Sequence, residues 1–193
     1  MSLSVTLVDA NVLISRTLRD YFLYAAKLGA LDLHWSETIL EETTRNLIKR
    51  FGFTQQDADV LVERIGAYLP TALVEVKKRD EEEVAKVAMD AKDRHVLAAA
   101  LSANADVLLT QNTRHFPKKW LAKRGVELLD SGALLLRLAA ECPQVLRQAH
   151  HLGIASRPQT EDQVFAILQN ITGKEVVAAV RAAVTVAPDD LSH

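Results

Sequence analysis

The pattern of this chain predicts an α/β fold, a mostly parallel sheet sandwiched between helices and followed by a purely helical extension. Three observations carry that expectation. Short apolar runs of strand length alternate with amphipathic helical stretches up to about residue 130, as in successive strand–helix–strand crossovers. Beyond Ser131 only helical patterns remain. The 193 residues are 49% hydrophobic and 25% charged, enough for one ordinary core with a small appendage, which excludes disordered and fibrous classes. The expected division is therefore an α/β domain over 1–130 and a helical extension over 131–193.

Leu3–Val8 opens the chain as a β-branched apolar run suited to a strand buried on both faces. After Asp9-Ala10-Asn11, the residues Ile14, Leu18, Tyr21, Phe22, Ala25 and Leu28 recur at helical spacing, and Gly29 ends that helix. Leu31–Trp35 is the second strand. Ser36 is the N-cap of a helix through about Phe51, with Glu37 in the first turn, where the dipole favours an anion. Thr54–Leu69 is a further helix stopped by Pro70, and Leu73–Val76 the third strand. An acidic stretch, Asp80–Glu83, leads to Met89. Asp90-Ala-Lys-Asp93 then opens a helix to about Ala103. Asp106–Leu109 is the fourth strand, Phe116–Arg124 a basic helix, and Val126–Leu129 the fifth strand. In the extension, Thr160-Glu-Asp-Gln163 is a capping-box pattern ahead of Val164, Ile167, Leu168 and Ile171 on one face. Gly173 separates it from a Val-rich helix ending near 186, and Ala187–His193 reads as a frayed tail.

Several function classes fall away on composition. The single cysteine, Cys142, excludes an internal disulfide framework and any multi-cysteine zinc site. No apolar run approaches the roughly 20 residues of a membrane helix, and the opening MSLSVTLVDAN lacks the basic start of a signal peptide, so a cytoplasmic protein away from membranes is expected. A formal net charge of −2 means that any polyanion site must be a local patch.

In an open parallel sheet, sites form beyond the C-terminal ends of the strands. Asp9, Glu42, Asp93 and Asn112 all project there. Carboxylates gathered at one sheet edge repel one another, and hard oxygen ligands of this kind suit Mg²⁺ or Mn²⁺. Each residue also has a simpler explanation: Asp9 as a helix cap, Glu42 as a solvated helix residue, Asp90 and Asp93 as an N-cap pair on a helix dipole. Asp106 sits at the entry end of its strand and reads as structural.

Taken together, the arrangement resembles a family. Asp9-Ala-Asn-Val-Leu, Ser36-Glu-Thr-Ile-Leu-Glu-Glu42, Asp90-Ala-Lys-Asp93-Arg-His-Val-Leu-Ala-Ala-Ala100 and Ala105-Asp-Val-Leu-Leu-Thr110-Gln-Asn112-Thr-Arg-His-Phe116 resemble, in order and spacing, the four motifs of the PIN domain across residues 3 to 130. The nearest likeness is to PIN proteins of the VapC toxin type with a C-terminal helical extension. The resemblance implies a PIN-like three-layer sandwich and a metal-dependent ribonuclease. It implies that Asp9, Glu42 and Asp93 hold Mg²⁺ or Mn²⁺, that Asn112 completes the catalytic set, and that Asn11 and Asp90 support it. Glu42 rather than Glu41 matches the spacing from Ser36. His115 stands where many toxins of this type have an aspartate, so one carboxylate of a second metal position is missing. The implied partners are an RNA substrate, a cognate antitoxin protein and a second copy of the chain.

Five basic residues, Arg114, Lys118, Lys119, Lys123 and Arg124, lie within eleven positions after Asn112, and Arg16 and Arg19 lie one turn apart on the first helix. Of these, Arg114, Lys118 and Lys119 are the expected RNA contacts, against the alternative of a solvated helix face. Trp120 among them reads as buried. His150 and His151 are adjacent and cannot face one way on a helix, so they read as packing or surface residues rather than a zinc site. A haloacid-dehalogenase-like phosphatase would need an acid where Asn11 stands, and a receiver domain a lysine where Ser131 follows the last strand. The rival from another class is a catalytically weak PIN-like binding module acting through its helical extension.

Overall fold

The structure, a computed structural model, describes residues 4–185. Leu3 and the expected tail at 187–193 lie outside the described residues. Five strands form one sheet: β1 Ser4–Val8, β2 Leu31–Ser36, β3 Leu73–Val74, β4 Val107–Leu109 and β5 Glu127–Leu129. Every neighbouring pair is parallel, in the order β3-β2-β1-β4-β5. Helical crossovers join them, because parallel strands cannot be linked by tight turns. β1 lies at the centre, with Leu7 and Val8 fully buried, so whatever follows Val8 emerges at the middle of the sheet's C-terminal edge.

Between β1 and β2 stand α1 (Ala10–Leu13) and α2 (Arg16–Lys27). The single helix expected here is broken at Ile14–Ser15, because Ser15 adopts extended backbone and its hydroxyl accepts from the Leu18 N–H, capping a new helix instead of continuing the old. α3 (Glu37–Phe51) is capped by the Ser36 hydroxyl and ends at Gly52, whose φ of 69° is the left-handed turn that suits glycine. α4 (Gln55–Tyr68) folds back against it. The third strand is shorter than its apolar run: only Leu73 and Val74 find partners, opposite Trp35 and Ser36, where β2 itself gives way to α3.

The acidic stretch belongs to a helix that periodicity did not reveal, α5 (Lys78–Val84). Its Asp80 is buried and accepts from the Ser102 hydroxyl at 2.6 Å, so a residue that looks solvated ties α5 to the next helix. The Asp90 helix begins with a 3₁₀ turn, Ala91–Asp93, before α6 (Arg94–Ser102). The expected basic helix divides into a 3₁₀ turn at Thr113–His115 and the short α7 (Lys118–Ala122), since Pro117 cannot continue the first turn.

The extension is α8 (Ser131–Glu141), α9 (Pro143–Ala155), α10 (Glu161–Thr172) and α11 (Lys174–Thr185), with the capping box at Thr160 and Gln163 formed as expected. It is not a separate lobe. One apolar core runs from Leu7 and Leu108 of the sheet through Phe22 to Leu135, Leu168 and Val180. The Arg157 guanidinium is paired with Asp20 and donates to the Thr17 hydroxyl, joining the extension to α2. Beside it, His150 sits between Tyr21, whose hydroxyl is 2.7 Å from Nδ1, and Glu161, 2.8 Å from Nε2. His150 is thus a buried packing residue and His151 an exposed one. Among the described residues no helix is long and apolar enough to cross a membrane.

Candidate active site

Asp9 leaves β1 at the centre of the sheet edge, the place where a parallel sheet delivers ligand-binding groups. Although it occupies the N-cap position of α1, its side chain makes no capping bond. The Oδ2 atom instead accepts from Asn11 Nδ2 at 2.6 Å and from the Thr110 hydroxyl at 2.7 Å. Thr110, fully buried just past β4, also accepts from Asn11 Nδ2 at 3.0 Å, and Asn11 Oδ1 accepts from the Gln111 N–H at 2.9 Å. Asn11 therefore clamps the loops after β1 and β4 together and fixes one oxygen of Asp9. Among the described residues no side-chain donor reaches the other oxygen. Burial raises the Asp9 carboxyl above its ordinary pKa, the Thr110 bond opposes this and the nearby Glu42 charge adds to it. A carboxylate held dry beside another carboxylate is a group that a cation would relieve.

Glu42, one turn into α3, stands next to His95 of α6, with Oε2 3.1 Å from Nε2. The contact is a close ion pair rather than an aligned hydrogen bond. His95 Nδ1 lies 2.8 Å from the Lys92 carbonyl, which can only accept, so that nitrogen carries a proton. The His95 ring holds the Glu42 carboxyl below its ordinary range. Burial works to lower the His95 pKa, but its contact with Glu42 outweighs burial and the net direction is upward. Glu41, by contrast, is exposed, whereas Glu42 is half-buried against His95.

Asp93 closes the 3₁₀ turn, its side chain largely buried, and its Oδ2 is 3.0 Å from His115 Nδ1. Asp90 takes the capping role: Oδ1 accepts from the Lys92 N–H at 3.1 Å and Oδ2 pairs with Lys92 Nζ at 3.2 Å. Asn112 donates its backbone N–H to the Thr110 hydroxyl at 3.1 Å and is exposed.

The structure thus assembles Asp9, Asn11, Glu42 and Asp93 on the C-terminal side of β1, β2 and β4. His95, His115 and Thr110 each hold one of the acids. Thr110 and His95 carried no role in the sequence reading, and His115 only that of a missing carboxylate, although each lies inside a quoted motif. The available signal was position: Thr110 directly follows the apolar run of β4, and His95 follows Asp93 by two. Among the described residues no three His, Cys, Asp or Glu side chains form a ready-made metal cluster. The donor chemistry nevertheless fits a hard divalent cation, since the groups on this side of the sheet are carboxylate oxygens, and one oxygen of Asp9 takes no side-chain donor.

Of the basic candidates, Arg114, Lys118, Lys119 and Lys123 are exposed. Arg124 is bound to Glu83 and stacks on the half-buried Trp120, its guanidinium 3.5 Å from the ring centroid. Arg19 is buried and donates to the Leu13 carbonyl, and Arg16 donates to the Ser156 carbonyl, so both serve the fold.

A family model described as a PIN domain matches residues 5–114, more than half of the chain, including Asp9, Glu42, Asp93 and Asn112. No curated protein and no solved structure matches.

Proposed function

The chain belongs to the PIN-domain family, whose fold is of nuclease type, and on that footing we propose that it is a metal-dependent ribonuclease hydrolysing RNA phosphodiester bonds. The observation that supports this best is the environment of Asp9: a buried carboxylate with raised pKa, fixed through one oxygen by Asn11 and Thr110, beside Glu42. Asp9, Glu42 and Asp93 would hold the Mg²⁺ or Mn²⁺. When bound, such an ion activates water and steadies the negative charge that builds on the oxygens around phosphorus during in-line displacement. The chain's own residues do the rest by holding geometry. Asn11 and Thr110 orient Asp9, His95 keeps Glu42 ionised, and His115 holds the Asp93 side chain in place through their 3.0 Å contact. Asn112 and Arg114, on the loop after β4, face the solvent from which RNA approaches.

Within this reading the protein is the toxin of a type II toxin–antitoxin pair, with a cognate antitoxin as partner and a second copy of the chain as a further one. That part rests on the resemblance of the four motifs to VapC-type toxins.

Cleavage of a mixed RNA pool by the purified protein tests the proposal, run with Mn²⁺, with EDTA, and with the Asp9→Asn variant. The expected result is cleavage with Mn²⁺ alone. A second reading, a PIN fold kept for binding, is favoured by one observation: Glu42 and Asp93 each already rest against a histidine. Absence of both RNA cleavage and Mn²⁺ uptake in calorimetry would establish that reading instead.

A further inference from the structure

A groove of about 1450 Å³ runs from Asn11 beside the acids, along α3 and α4, to the helical extension. Pockets for small ligands span roughly 300–1,000 Å³, so a space of this size suits a polymer segment rather than a small molecule. Glu42, Asn46 and Arg50 succeed one another at four-residue steps on one face of α3, which carries the stripe about 12 Å from the acid site into the groove.

Five arginines line it, and their states differ. Arg16, Arg19 and Arg157 are held by Ser156, Leu13 and Asp20 as described above. Arg50 and Arg64 are exposed and have no acidic partner among the described residues, so two charged forks face the groove unspent. The same groove is lined by large apolar groups that a folded protein normally covers: Phe51 at the end of α3 is 58% exposed, and Ile167 of the extension is 39% exposed.

We propose that this groove is the track for unpaired RNA, with Arg50 and Arg64 gripping phosphates, Phe51 stacking on a base and the extension forming the far wall. The inference deepens the ribonuclease reading and rests on it for the identity of the polymer. The reason for an unpaired strand is chemical. A duplex presents phosphates and sugars outward and keeps its bases stacked inside, so it could use the arginines but not Phe51 or Ile167. A single strand offers both phosphate charge and exposed base faces, the combination these walls match. The exposed lysines of α7 lack such an apolar complement and serve at most as a general electrostatic field.

The test is fluorescence anisotropy of a labelled, unstructured RNA oligonucleotide with the full chain in EDTA, so that binding is read without cleavage. Expected are at least tenfold weaker binding by Arg50→Glu/Arg64→Glu and a salt dependence shallower by about 1.4 in log–log slope, the value for two phosphate contacts on a single strand. Arg50→Lys/Arg64→Lys should stay close to wild type, and the same RNA annealed into a duplex should bind at least tenfold more weakly. Phe51→Ser, a change at an exposed side chain, should weaken binding at least fivefold, within the range of one lost base stack, and keeps the test decisive if the reversed pair does not fold. Binding of the reversed pair within twofold of wild type, or equal binding of duplex, would overturn the proposal. Groove-dependent binding by a protein that cleaves no RNA with Mn²⁺ would uphold the track and defeat the ribonuclease reading. Cleavage indifferent to the reversed pair would do the opposite.

Discussion

His115 Nδ1 lies 3.0 Å from Asp93 Oδ2, bridging the turn after β4 to the start of α6. The side chain standing where many relatives by resemblance have an acid thus orients an acid instead of adding one. His115→Ala is expected to lower Mn²⁺ affinity by about tenfold, in line with the loss of a group that holds a ligand. Calorimetric titration checks this, and His115→Asn, which keeps a donor on that side, should recover part of the loss.

Asp9 carries a charge that the apo fold accommodates poorly, because burial and Glu42 both disfavour it. Asn at this position can still accept from Asn11 and Thr110 through its amide oxygen. Asp9→Asn is therefore expected to stabilise the metal-free protein by about 0.5–2 kcal/mol, as removal of strained functional groups commonly does. It should also abolish both Mn²⁺-induced stabilisation and cleavage. Thermal melts with and without Mn²⁺ read the two effects separately, and a destabilised apo variant would count against the site.

The His150 cluster makes docking of the extension sensitive to acid. Burial pulls the His150 imidazole below its ordinary pKa, with Glu161 opposing, while burial pushes the Tyr21 hydroxyl up. The neutral ring accepts from Tyr21 and donates to Glu161. A protonated ring would leave the buried Tyr21 proton without that acceptor. Because the folded pKa lies under the unfolded value, the unfolded chain binds the proton first as pH falls. The stabilisation is complete above about pH 6.5 and declines as pH drops from there through the folded value. His150→Gln, which supplies an amide oxygen and an amide N–H to the same partners, should flatten that part of the denaturant-midpoint profile between pH 7 and 5.

Arg157 has a side chain only 3% exposed and is paired with Asp20. Arg157→Ala would leave Asp20 with the more distant, exposed Arg16 as its remaining partner. A cost of about 3–5 kcal/mol is expected, the range for breaking a buried pair on one side. Since one core spans sheet and extension, urea unfolding should show one transition shifted to lower concentration, not early loss of the extension alone.

Much of this protein was legible in its order of residues. Period and length located the five strands and most of the helices between them, α5 excepted. Turn and cap chemistry placed the starts at Ser36 and Thr160, and position at strand ends picked out Asp9, Asn11, Glu42 and Asp93. These signals are local, so a linear reading can follow them. Other features depend on groups far apart in sequence, and only the tertiary structure decided them. Asp9 takes its environment from Thr110 and Glu42, Asp93 its orientation from His115, and Asp80 its burial from Ser102. Arg16, Arg19 and Arg124 looked like free charges until their partners at Ser156, Leu13 and Glu83 were in place. Their side-chain types announce a charge but not what neutralises it, because that partner is chosen by packing across the sheet and against the extension. For the same reason Arg50 and Arg64 drew no notice in the sequence and stand out only once the others are accounted for.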